Sequence, residues 1–307
     1  MPAIQKVYVS GLGAIGSAFA SRLYEADPGL VTVIADPERI ERYQRQGVTV
    51  NGKNYAFHYG TPEAAAEPAD LILIAVKQHH LNESIRAIRN RVGERTIILS
   101  LLNGITSEEA IGAEYGPDKL LYSFVLGTDA VREGTSTRFS SIGKIVFGEK
   151  LNRTYSPKVS AVKQLFDRAG VPYQIPEDML RELWWKFMMN VGVNQTSAIL
   201  KAPYGVFQRV GEARELMAMA SREVIQLAQK QRINLAEEDI ATYIRILNGL
   251  SPQGKTSMLQ DVEAGRKTEV EIFAGAVVAL GRQYGVATPV NEVLLRMLQT
   301  LEQTYSV

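Results

Sequence analysis

The sequence predicts an α/β protein: an N-terminal domain built on a parallel sheet, followed by an all-α C-terminal domain. Two observations carry this expectation. In the first half, short β-branched runs alternate with amphipathic stretches, whereas beyond Pro176 only helical periodicity remains. Residues 6–10, 31–35, 71–76 and 96–99 read as strands, and their near-continuous apolar character suits burial on both faces of a parallel sheet. Residues 14–26, 38–46 and 79–91 read as the helices between them, which gives βαβ units. Residues 48–50 and 55–57 flank Asn51-Gly52, a dipeptide suited to positive φ angles, and predict a hairpin appended to the sheet. Residues 120–147 are strand-rich and punctuated by Gly127, Gly134 and Gly143, and residues 171–175 read as a last strand. Five helical stretches follow, over 179–200, 212–231, 237–250, 267–284 and 290–303. The boundary therefore falls near residue 177, with one domain over 1–177 and a helical one over 178–307.

Composition narrows the function classes. At 307 residues, 46% hydrophobic and 22% charged, the chain suits a globular protein with a substantial core. Its 34 Lys plus Arg nearly balance 33 Asp plus Glu, so no global positive field exists to attract nucleic acid or an anionic membrane. The absence of cysteine excludes disulfides, thiol catalysis and zinc–thiolate sites. The histidines, His58, His79 and His80, lack the spacing of a helical metal pair, and no metal is expected. Neither a signal-peptide pattern nor an apolar run of membrane-spanning length is evident, so the expected location is the cytoplasm.

The first chemical signal is Gly11-Leu12-Gly13-Ala14-Ile15-Gly16, which follows the first strand and opens a helix. Such glycines allow a tight turn, close approach of backbone to a pyrophosphate, and close helix–strand packing, while the helix N-terminus supplies N–H donors. The motif alone is weak, but strand, turn, helix and second strand occur in order, with acidic Asp36 ending that strand. This is the fingerprint of a Rossmann-type dinucleotide domain. Lys77 and Asn103-Gly104 follow later strands at their carboxyl ends, where ligands bind in open α/β sheets. A solvent-facing lysine and a plain glycine turn remain open as alternatives.

The second signal lies in LWWKFMMNVGVN, residues 183–194, where Lys186, Asn190 and Asn194 recur at i, i+4 and i+8. On a straight α-helix they line one face, drifting about 40° per step. A lysine among Trp184, Trp185, Phe187 and Met188 needs a partner or a wet cleft, unless it snorkels from a solvated face. Farther on, Ser257 and Asp261 could be a helix-start feature, and Glu269 or Glu271 could pair with Lys267 or Arg266.

Taken together, GLGAIG at 11–16, VK at 76–77, LNG at 102–104, KFMMNVGVN at 186–194, SMLQD at 257–261 and TE at 268–269 resemble the ketopantoate reductase family across nearly the whole chain. The resemblance implies reduction of ketopantoate to pantoate, a step in pantothenate biosynthesis. It also implies Lys186 as the catalytic general acid and Glu269 as the acidic residue near the substrate. Asn190, Asn194 and Ser257 become substrate-binding residues, with Asn103 and Lys77 near nicotinamide and substrate. NADP(H) is the cofactor the family favours. NAD(H) stays open because Asp36, followed by Arg39 and Arg42, stands where a basic residue often meets the 2′-phosphate. Gly254, too, departs from a position where a cofactor-contacting asparagine can occur. The expected partner is a small 2-oxoacid, with no nucleic acid or membrane, and the chain could form a homodimer. Since the two residue sets lie in different halves, the expected active site is the cleft between the domains. Two other functions compete: a D-2-hydroxyacid dehydrogenase acting on branched 2-oxoacids, and a non-enzymatic dinucleotide sensor.

Overall fold

A computed structural model describes residues 2–306 as two compact units. The first runs to Asn103 and resumes over Ser107–Met179; the second takes Gly104–Thr106 and continues from Leu180.

In the first unit the chain runs β1 (Val7–Ser10), α1 (Ala14–Ala26), β2 (Val31–Ile34), α2 (Pro37–Gln46), β3 (Val48–Val50), β4 (Lys53–Tyr55), β5 (His58–Gly60) and β6 (Leu71–Ile74). It continues through α3 (Leu81–Ala87), β7 (Ile97–Ser100), α4 (Ser107–Tyr115), β8 (Leu120–Leu126), β9 (Val131–Glu133), β10 (Ser136–Arg138), β11 (Lys144–Gly148), α5 (Pro157–Ala169) and β12 (Tyr173–Gln174). Eight strands form the main sheet in the order β12-β11-β8-β7-β6-β1-β2-β5. All its pairings are parallel except β8 with β11. Every residue of β1, β6 and β7 is buried, as their continuous apolar runs require. The pleat divides those residues between two cores. Val7, Val9, Leu71, Leu73, Ile97 and Leu99 pack with Phe19 and Leu23 of α1 and Phe166 of α5. Tyr8, Ile72, Ile74 and Ile98 pack with Ile85 of α3 and Ile111 of α4. Helices thus cover both faces, although α4 and α5 are not among the helices expected from periodicity.

Asn51 and Gly52 do adopt positive φ, +48° and +80°, and close the β3–β4 hairpin. The hairpin is not appended to the main sheet, however. Strand β3 pairs in parallel with β10, making a separate sheet in the order β4-β3-β10-β9, and β5 alone joins β2. The last strand shrinks to two residues bounded by Pro172 and Pro176, because proline cannot donate to a ladder.

The described residues of the second unit form helices and no strand: α6 (Met179–Met189), a π-turn (Asn190–Asn194), α7 (Gln195–Leu200), α8 (Tyr204–Arg209), α9 (Gly211–Lys230), α10 (Glu237–Asn248), α11 (Ser257–Glu263), α12 (Ala274–Tyr284) and α13 (Pro289–Gln303). Phe187, Met188, Val191, Met217, Val224, Phe273 and Leu298 are buried within it. The stretch expected as one helix over 267–284 opens instead with a 3-10 turn at Val270–Ile272, and the α-helix starts at Ala274. Among the described residues no helix is long and apolar enough to cross a membrane.

Candidate functional site

Two of the three glycines in the loop after β1 are demanded by the fold itself. Gly11 has φ +99°, and a Cβ there would stand 2.6 Å from the Ala75 carbonyl oxygen at the end of β6. A Cβ on Gly16 would drive into the carbonyl oxygen of Gly11. Gly13 is different: its φ of −70° is ordinary, and a Cβ would meet nothing nearer than Ala75 O at 3.7 Å. No side chain caps α1, whose N-cap is Gly13. The absence of a side chain at Gly13 therefore serves no internal packing. It leaves the N-terminal amides of a 13-residue helix open to an anion, as a bound pyrophosphate requires. Leu12 is buried under this loop, while Ala14 and Ile15 are half-buried in the first turn.

Asp36 ends the β2 segment and caps α2. Its Oδ1 accepts a hydrogen bond from Arg39 N at 2.7 Å, and Oδ2 pairs with Arg39 Nε at 3.2 Å. Carboxylate and guanidinium are both partly exposed and engage each other. Sequence reasoning missed Arg132 of β9. Its Nη1 donates to Ser17 Oγ in the first turns of α1 at 2.5 Å, and its guanidinium lies 5.7 Å from the Tyr43 ring centroid. Burial is the main cause that pulls the Arg132 pKa below the usual guanidinium value. No motif marks Arg132, because the hydrogen bond that ties it to α1 joins residues 115 positions apart.

Lys77 follows β6 as the N-cap of a short 3-10 turn and is half-buried; Asn103, also half-buried, follows β7, with Gly104 at φ +90°. Both therefore occupy carboxyl ends of parallel strands, as the sequence suggested.

In the second unit the polar stripe is not a solvated face. Lys186 is 8% exposed and Asn194 7%, while Asn190 is half-buried. Nor is the helix regular, since Asn190–Asn194 form a π-turn. On an α-helix four residues overshoot a full turn by about 40°. In a π-turn, with i→i+5 bonding and roughly 4.4 residues per turn, four residues fall short of a full turn by about 30°. The drift from Lys186 to Asn190 is thus nearly cancelled between Asn190 and Asn194, which returns Asn194 to within about 10° of the Lys186 line with Asn190 about 40° to one side.

Ser257 is the exposed first residue of α11, but it does not cap that helix. Thr256 does, its Oγ1 accepting from Leu259 N at 3.1 Å. The Ser257 hydroxyl is thereby released from the helix-start role. Arg266 Nε donates to Asp261 Oδ1 at 3.0 Å, and Gln299 Nε2 donates to Glu271 Oε1 at 2.8 Å. Glu269, 7% exposed, immediately precedes the 3-10 turn. Gly254 has a packing reason: a Cβ there would lie 2.8 Å from Cδ2 of Tyr204. Tyr243, also near Tyr204, meets Trp185 edge-on at 6.5 Å. Burial raises the pKa of both phenols, so each stays a hydroxyl donor at neutral pH. Among the described residues no cluster of three or more Asp, Glu and His could hold a metal ion.

The family described as "Ketopantoate reductase PanE/ApbA" matches residues 7–152, and its C-terminal counterpart, "Ketopantoate reductase PanE/ApbA C terminal", matches residues 178–302. A 2-dehydropantoate 2-reductase of Aquifex aeolicus is 26% identical over 304 residues, covering 97% of each chain. Among solved structures, a PanE/ApbA family ketopantoate reductase from Ralstonia eutropha aligns over 98% of this chain and 100% of its own, with TM-score 0.86 and 23% identity. A D-mandelate dehydrogenase in ternary complex with NADH and anilino(oxo)acetate aligns equally well, with TM-score 0.86, 22% identity and the same coverage. At such identities the two structures establish the fold.

Proposed function

Because the chain belongs to the ketopantoate reductase family, we propose that it is a nicotinamide-dependent oxidoreductase that reduces the C2 carbonyl of a 2-oxoacid, with ketopantoate as its substrate. In this reading residues 1–177 hold the dinucleotide and residues 178–307 supply the catalytic groups. The observation that carries it is Lys186: a lysine 8% exposed, on a stripe where a π-turn brings Asn194 back to its side beside Asn190.

When bound, the reduced nicotinamide cofactor would supply the hydride that the C2 carbonyl carbon accepts. Lys186, as the ammonium, polarises the carbonyl oxygen and gives its proton to the developing alkoxide, and the neutral amine regains a proton from solvent. Asn190, Asn194 and Ser257 hold the substrate so that its carbonyl faces hydride and ammonium. Glu269 keeps the ammonium in place or takes a substrate hydroxyl. Lys77 and Asn103 act at the nicotinamide end, and the backbone of residues 11–16 takes the pyrophosphate.

For the cofactor, family likeness favours NADP(H), with Arg39 turning to the 2′-phosphate. The Asp36 carboxylate at the end of the β2 segment supports a second reading, an NADH-dependent D-2-hydroxyacid dehydrogenase, since it suits the ribose hydroxyls and would repel that phosphate.

The test is initial rates with NADPH and NADH on ketopantoate, 2-oxoisovalerate and phenylglyoxylate. A site built for the ketopantoate hydroxyl should prefer ketopantoate over 2-oxoisovalerate in kcat/KM by on the order of a hundredfold or more. Equal rates, or preference for either of the other acids, overturn the substrate assignment in favour of the second reading.

A further inference from the structure

The π-turn has its own support, and that support is polar and buried. Widening one turn moves the backbone amide four residues ahead out of reach of each carbonyl. Two side chains add bonds to carbonyls of the turn. Gln195 Nε2 donates to Val191 O at 2.8 Å, and Thr196 Oγ1 donates to Gly192 O at 2.7 Å. Gln195 is fully buried, and its amide is used at both ends. Its Nε2 also donates to Asn291 Oδ1 at 3.1 Å, and its Oε1 accepts from Ala274 N, the first residue of α12, at 2.9 Å.

The chain of bonds continues. Asn291, also fully buried, donates through Nδ2 to Glu223 Oε2 of α9 at 2.7 Å and to Ala220 O at 3.2 Å. Glu223, 6% exposed, accepts further bonds from Val290 N at 2.8 Å and Asn291 N at 3.0 Å, both in the first turn of α13. A buried carboxylate at the N-terminus of a 15-residue helix is favourably placed for the helix dipole, and its bonds are charge-assisted. The π-turn is also pressed directly on α9, where a Cβ on Gly192 would overlap Ser221 Oγ. Through Gln195 the turn is therefore fastened to α9, α12 and α13 at once.

We propose that Gln195, Asn291 and Glu223 are positioning residues for the reaction. Their network sets the π-turn so that Asn194 returns to the line of Lys186, with Asn190 between them, and it acts on the substrate only through those asparagines. The inference rests on the proposed role of Asn190 and Asn194 in holding the 2-oxoacid. Gln195→Met keeps the side chain's length and removes its bonds to Val191, Asn291 and Ala274. Let the turn relax toward α-geometry and Asn194 swings by tens of degrees from the stripe.

The experiment is a double-mutant cycle on the full chain with its nicotinamide cofactor and 2-oxoacid, reading kcat, KM and dinucleotide affinity. Gln195→Met should lower kcat/KM for the 2-oxoacid about tenfold or more and leave dinucleotide affinity unchanged. In an Asn190→Ala/Asn194→Ala background the same substitution should have almost no further effect, because the groups it positions are gone. A merely structural role predicts full additivity, and an additive result overturns the proposal. Should Gln195→Met fail to fold, Thr196→Val, which removes the bonds to Gly192 O and Val193 O, runs the same cycle with Thr196→Ser as the rescuing variant. A cycle in which Asn190→Ala/Asn194→Ala leaves kcat/KM at the wild-type level refutes the substrate role of the asparagines, and with it the network's function. Impaired asparagine variants with additive Gln195 effects refute the network alone.

Discussion

Replacing Gly13 by alanine separates folding from cofactor binding at a single position. The new methyl meets only Ala75 O, at an ordinary 3.7 Å, and the backbone already has an extended conformation that alanine adopts freely. Alanine is a poorer N-cap than glycine, so stability should fall by about 1 kcal/mol at most. Under the proposed function, the same methyl crowds the pyrophosphate at the amides of α1. Losing one charge-assisted N–H bond to phosphate costs about 1.5–3 kcal/mol, which weakens dinucleotide binding by roughly 10- to 150-fold. Gly16→Ala is the counterpart. Its Cβ would drive into the Gly11 carbonyl oxygen, backbone that cannot yield, and stability should drop by about 3 kcal/mol or more. Fluorescence titration of the reduced nicotinamide gives the affinities, and urea unfolding gives the stabilities. A Gly13→Ala protein that binds the dinucleotide as tightly as wild type would refute the reasoning, as would a Gly16→Ala protein of wild-type stability.

Lys186→Ala should lower kcat by about a hundredfold or more with dinucleotide affinity unchanged; stopped-flow turnover near the wild-type rate would remove the lysine from proton transfer. For cofactor choice, kcat/KM with NADH and NADPH is compared for wild type, Asp36→Ala and Arg39→Ala. If Arg39 meets the 2′-phosphate, Arg39→Ala cuts the NADPH value about tenfold; an NADH preference reversed by Asp36→Ala, with Arg39→Ala silent, would show that the carboxylate decides. Arg91, 1% exposed, donates to the carbonyls of Thr61 and Pro62 and faces the Tyr8 ring at 5.9 Å. Arg91→Met should therefore destabilise the first unit by about 2–4 kcal/mol in urea unfolding, with wild-type stability as the contrary result.

The glycine loop was legible because its constraint is local: the positive φ of Gly11 and the crowding at Gly16 act within six residues of chain. The β3–β4 turn was legible for the same reason, but its sheet was not. Thr49 and Val50 pair with Ser136 and Thr137, and nothing in the hairpin's own residues names partners so far along the chain. Lys186, Asn190 and Asn194 stood out by spacing, yet the π-turn left no mark, since one wide turn scarcely disturbs an apolar periodicity read over several turns. Nothing in the sequence singles out Glu223 within the helical stretch expected over 212–231. Only the returning N-terminus of α13 turns it into a buried acceptor. Asp36 was recognised as chemically significant, but its capping of α2 was not foreseen, although Asp-Pro at a helix start is a familiar cap.

The eight-stranded sheet ends on two very brief strands, β12 with two residues and β5 with three. An edge strand exposes a row of amides and carbonyls that can template another chain, and the hazard grows with its length and flatness. Here Pro172 and Pro176 stop one edge, while Thr61 and Pro62, whose carbonyls bond Arg91, draw the chain away just past the other. The sheet is therefore guarded against edge-to-edge aggregation by the shortness of its borders. Substitutions that extend either border, such as replacing Pro172 with a β-branched residue, would trade that protection for a longer ladder.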